Sequence, residues 1–139
     1  MTYNRVSSTV FFMCLSATAG AQTEISPAFG FTSTTSGQGI FTVGFQFHTG
    51  KTITVNELGK YDLNGGGLNE AASVGLWSLN GTLLTSVAVP TGTSGTLRNG
   101  CYYAPITPVE LPPGGYIIGT QTFAGGEPFS QEGTITPVD

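Results

Sequence analysis

Between Ile40 and His48 the chain alternates without a slip: Phe41, Val43, Phe45 and Phe47 fall on one side, and Thr42, Gly44, Gln46 and His48 on the other. Extended backbone points successive side chains to opposite faces, so this spacing makes one apolar, aromatic face and one small, polar face. A helix would scatter the same residues around its circumference. A strand of this kind must bury its apolar side against a second layer. The remainder of the chain obeys the same rule, because no ten-residue window holds an apolar stripe at i, i+3, i+4 and i+7 free of Gly and Pro.

Five more strands are expected at Thr52–Leu58, Ser73–Leu79, Thr82–Val89, Thr96–Ala104 and Tyr116–Thr122, with an edge strand at Phe29–Thr32. Turn residues separate them. His48 to Lys51 links two strands closely. Asn80-Gly81, between two apolar runs, predicts a type I′ hairpin with both central residues at φ > 0. Pro90 to Gly95 and Pro112 to Gly115 read as loops that Pro and Gly force out of the sheet. The fold expected is all-β, a two-sheet antiparallel sandwich of jelly-roll or immunoglobulin-like kind. The tail from Gly133 to Asp139 either pairs at an edge or marks a missing final strand, and an open edge invites a partner strand.

Residues 1–21 read as a secretory signal peptide. Arg5 supplies the positive region, Val10 to Leu15 the apolar stretch and Ala19-Gly20-Ala21 the small cleavage residues. Residues 22–139 then form one domain, secreted and with no membrane span once the leader is gone. Cys14 leaves with the leader, so Cys101 is expected as a lone, small buried hydrophobe. Charged residues make up 9% of the chain and the formal charge is −4. Nucleic-acid binding needs clustered Lys and Arg and is excluded as a function class.

From Phe41 to Gly119 the order of motifs resembles a family of secreted bacterial domains of unknown function. Its members are common in proteins with a PEP-CTERM sorting tail and beside immunoglobulin-like repeats in surface proteins. The pieces are the runs Phe41–Phe47, Ile53–Gly59 with Tyr61-Asp62, Gly65–Leu68, Val74–Trp77, Asn80–Leu84 and Leu111–Gly119. The resemblance implies a β-sandwich outside the cytoplasm and no established activity. It also implies a chain lacking its sorting tail and its last strand.

Candidate chemistry is sparse. Trp77, Tyr102, Tyr103 and Tyr61 are the ligand-binding candidates, because an exposed aromatic ring can stack on a sugar face. Trp77 shares its strand with Leu76 on the opposite face, so it is either a core residue or a surface platform. Tyr102 and Tyr103 likewise oppose each other, which predicts one exposed ring. Asp62, Asn64 and Glu70 resemble part of a Ca²⁺ loop, although Gly66 and Ser73 stand where further ligands belong; the alternative is a turn that Asp62 and Asn64 cap. His48 is the sole histidine, expected in a solvated turn and unable to complete a His-based zinc site. No motif unites an acid, a base and a nucleophile, and no enzyme activity is expected. The reading is a non-catalytic extracellular or cell-surface domain binding neutral polysaccharide. The alternative is a structural subunit that assembles with copies or other surface proteins by edge-strand pairing.

Overall fold

The computed structural model of the chain describes residues 13–18, 26–27, 29–37, 39–62, 65–123 and 129–137, with side chains for 39–62 and 65–123. Every regular element among them is a strand: β1 (Met13–Thr18), β2 (Ser26–Pro27), β3 (Phe29–Gly37), β4 (Thr42–Thr49), β5 (Ile53–Tyr61), β6 (Ala72–Ser78), β7 (Leu83–Val89), β8 (Thr96–Arg98), β9 (Cys101–Leu111), β10 (Gly114–Gln121) and β11 (Phe129–Pro137). One antiparallel sheet has the order β4-β10-β6-β7. A second has the order β2-β1-β5-β9-β8. β3 pairs with β11 as a separate ribbon, so the tail finds its partner in the segment expected as an early edge strand.

The two sheets face one another as a sandwich. Alternation sends Phe45 and Phe47 of β4, Val74 and Leu76 of β6, and Tyr116 and Ile118 of β10 inward. Val55 and Leu58 of β5, with Tyr102, Ala104 and Leu111 of β9, meet them from the other layer. Val55, Leu58, Val74, Leu76 and Ile118 have no exposed surface, and burying each such side chain contributes about 1.5–3 kcal/mol. The chain changes sheets at two tight corners, between β4 and β5 and at Pro112-Pro113 between β9 and β10. At the first, the Thr49 hydroxyl donates to the Lys51 carbonyl. At the second, the Tyr116 hydroxyl reaches back to Pro112 O at 2.7 Å. Gly114 and Gly115, expected in the loop, already belong to β10 and pair with Thr49 and His48.

Turn chemistry differs from expectation in two places. Asn80 does not take a positive φ; Gly81 alone does, at 87°. Gly81 N–H donates to Ser78 O, Ser78 N–H donates to Thr82 O, and the Asn80 carboxamide accepts from Thr82 N–H. This is a type I turn closed by a glycine bulge, and the extra residue relieves Asn80 of left-handed backbone. The type I′ arrangement occurs instead at Asn99 (φ 49°) and Gly100 (φ 77°), between Arg98 and Cys101, which are paired. The stretch Thr96–Ala104 is therefore a hairpin and not one strand.

The expected leader falls mostly outside the described residues, as does its cleavage site at Ala21. Of it, the backbone of β1 is described, antiparallel to β5 from Met13↔Lys60 to Thr18↔Thr54. Cys101 is buried as expected but disulfide-bonded. The expectation of a lone thiol assumed a chain shortened by its leader, whereas the 139-residue chain carries two cysteines.

Candidate functional site

The polar face of β4 turns away from the core, and the strand register extends that face across the sheet. Gly44 pairs with Gly119 of β10, Gly119 with Gly75 of β6, and Gly75 with Ser86 of β7. Three glycines therefore stand in one row running across the strands. The neighbouring row is Gln46, Ile117, Trp77 and Leu83. On the other side stands the pair Thr42 and Gln121. Glycines leave a floor of bare backbone, and the flanking rows make walls. The result is an open groove of about 450 Å³ with no ionisable side chain in its lining.

Trp77 does not stand upright in this face. A Cβ on Gly75 would fall against the six-membered part of its indole, and one on Gly119 would lie 3.3 Å from Cζ3. The ring is thus laid down over the glycine row, half-buried, with Gly75 and Gly119 beneath it. An aromatic ring covering strand glycines restores the packing those glycines lack. It also presents an apolar plate beside hydrogen-bonding groups, the combination that holds an amphipathic ligand. Gln46 is exposed, and its amide nitrogen lies 3.1 Å from His48 Nε2. In the Nδ1–H tautomer of His48 the amide donates to Nε2, which turns Gln46 Oε1 toward solvent or ligand as an acceptor.

The structure separates the other aromatic candidates from this face. Tyr102 and Tyr103 are both buried, at 4% and 1% exposure, so the expectation that one is exposed does not hold. Tyr102 faces the inter-sheet core, while Tyr103 packs with Cys101 and the half-buried Tyr61 on the opposite side of β9. That outer side has its own cover: the Arg98 guanidinium lies 4.8 Å from the centre of the Tyr103 ring and pairs with Glu57. Alternation says that two faces exist; it does not say that one of them is wet.

Asp62 is 5% exposed. Its Oδ1 accepts Gly65 N–H at 2.8 Å and its Oδ2 accepts Gly67 N–H at 2.7 Å. Gly65 and Gly67 hold φ at 72° and 100°, the curvature that aims both N–H groups at one carboxylate. The capped-turn alternative describes Asp62 as it stands. Asn64 lies outside the described residues, and Glu70 is half-buried. Among the described residues no three His, Cys, Asp or Glu side chains converge as a metal set. Asp62→Ala removes two charge-assisted hydrogen bonds and strands the buried Gly67 N–H; urea unfolding should show a loss of about 2 kcal/mol.

Sequence reasoning named Trp77 but missed Gly44, Gly75, Gly119, Gln46 and Ile117 around it. A signal was present: on the face opposite their large apolar residues β4 carries Gly44, β6 carries Gly75 and β10 carries Gly115 and Gly119. Only the register shows that Gly44, Gly119 and Gly75 align. Comparison with family models, curated proteins and solved structures gave no match.

Proposed function

We propose that the protein is a secreted, non-catalytic binding module that holds neutral polysaccharide on the outer face of the β4-β10-β6-β7 sheet. The observation that carries this reading is the Trp77 ring lying on Gly75 and Gly119 at the side of an uncharged groove. Sugar rings offer an apolar face and a rim of hydroxyls. Trp77 and Ile117 match the face; Gln46, Thr42 and the exposed Gln121 match the rim. An uncharged lining offers no attraction to anionic polymers. The resemblance to surface-protein domains agrees with this setting, outside the cytoplasm.

Affinity electrophoresis through gels cast with neutral polysaccharides tests it. The protein should be retarded in at least one gel, and Trp77→Ala should weaken retention about 10-fold, the equivalent of a lost aromatic contact of about 1.5 kcal/mol. Unretarded migration in every gel contradicts the reading. So does undiminished retention of a folded Trp77→Ala.

A second reading, assembly by strand pairing, is favoured by the place of β1. Removal of residues 1–21 takes away the strand paired with β5 and leaves that edge's N–H and C=O groups to another strand. Light scattering on a chain starting at Gln22 should then show association that the full chain lacks.

A further inference from the structure

We infer that the groove takes an internal stretch of an extended, neutral glycan laid across the strands, with one ring on Trp77 and the next over Gly44. This rests on the polysaccharide reading above and adds to it the direction, length and end-independence of the ligand.

Direction follows from the walls. The row Gln46–Ile117–Trp77 and the pair Thr42–Gln121 both run across strands, so the space between them runs across strands too. A ligand lying along the strands would have to climb over Ile117 or Gln121. Length follows from sheet geometry. From Gly44 on β4 to Trp77 on β6 is two interstrand spacings, roughly 10 Å, the length of two pyranose rings joined in an extended chain.

End-independence follows from the two ends of the row. β4 is the last strand of its sheet, so the floor runs off at Gly44. Past Gly75 the row continues to Ser86, which is small and exposed. Neither position carries a bulky or charged side chain that would stop a chain or read its terminus. Polarity follows from Gln46: its amide is oriented by His48, so Oε1 is the group offered to a hydroxyl at the groove wall. The ligand is therefore a neutral polymer recognised along its length, with a stacking contact and an acceptor contact on neighbouring rings.

Calorimetry on the full chain with β-1,4- and β-1,3-linked gluco-oligosaccharides and β-1,4-linked xylo-oligosaccharides of one to six rings tests this. In at least one series the affinity should rise at least 10-fold from one ring to three and then level off. Reducing the terminal ring to its open alditol should leave the six-ring affinity within 2-fold. Gln46→Ala, at an exposed position, should weaken the six-ring ligand about 5-fold with no change in melting temperature. Equal affinity for one and six rings, or loss of binding on terminal reduction, overturns the groove assignment and leaves the polysaccharide reading standing. Binding that ignores both Trp77→Ala and Gln46→Ala places the ligand elsewhere and overturns it as well. Failure of every series, together with unretarded migration in the polysaccharide gels, overturns both readings. Self-association abolished by Trp77→Ala would assign the face to a second copy instead and overturn both.

Discussion

Phe47→Ala should cost about 3–5 kcal/mol, enough to bring a domain of ordinary stability to the brink of unfolding at room temperature. Phe47 is 1% exposed and belongs to the cluster joining the two sheets. Its ring centre lies 5.8 Å from that of Tyr116 and 6.4 Å from that of Phe45, tilted against both. Truncation removes the buried area and the ring contacts, and leaves a cavity that the flanking strands cannot close. β4 is an edge strand, so relaxation toward Phe47 is available from β10 alone. Urea unfolding followed by Trp77 fluorescence measures the loss. A cost under 1 kcal/mol would mean that β4 does not seal the core as described. The nearby Phe41→Ala makes a useful contrast, since Phe41 is 51% exposed and should cost much less.

The second large effect is alkaline. Burial pushes the Tyr103 hydroxyl up to about 12, and the nearby Arg98 opposes this only in part. The unfolded chain ionises this group at 10.0, the fold at about 12. Below pH 10 the phenol is neutral in both states and stability is unaffected. Between pH 10 and 12 the unfolded state gives up its proton first, so the fold loses about 1.4 kcal/mol per pH unit, about 3 kcal/mol in all. Tyr103→Phe removes this component of the slope. Tyr116, also raised by burial, retains its own contribution in that variant. Urea midpoints at pH 9, 10, 11 and 12, with absorbance at the phenolate band, give the measurement. Parallel curves for the two proteins would show that Tyr103 ionises without hindrance.

Much of the architecture was legible because strand alternation is local. Ile40–His48 announced its two faces, and β4, β6, β7 and β10 fell close to the expected spans. What local pattern cannot carry is pairing. Asn80-Gly81 and Asn99-Gly100 are the same dipeptide, yet only the second adopts the type I′ form. The difference lies in the residues around them: Ser78 and Thr82 close a wider loop at the first, whereas Arg98 and Cys101 pair directly at the second. Tyr102 and Tyr103 show the same limit for burial. Their alternation is plain, but the cover over Tyr103 comes from Arg98 on β8 and Glu57 on β5, brought there by the sheet. For the site, Trp77 stood out as the sole tryptophan, while its glycine floor is spread over residues 44, 75 and 119 and exists only through register.

Thr122 carries a consequence of another kind. Its side chain donates to Gly39 O at 2.7 Å and accepts Phe41 N–H at 3.1 Å, while its own N–H donates to Phe41 O at 2.8 Å. Positions 81 residues apart are thus clasped, and just outside the clasp β3 and β11 begin to pair, Gly37 with Phe129. The stretch from Gly39 to Thr122 is therefore closed on itself, and the ribbon that starts beside the clasp ends at Phe29, next to β2, so the chain on its N-terminal side is anchored a second time by β1 against β5.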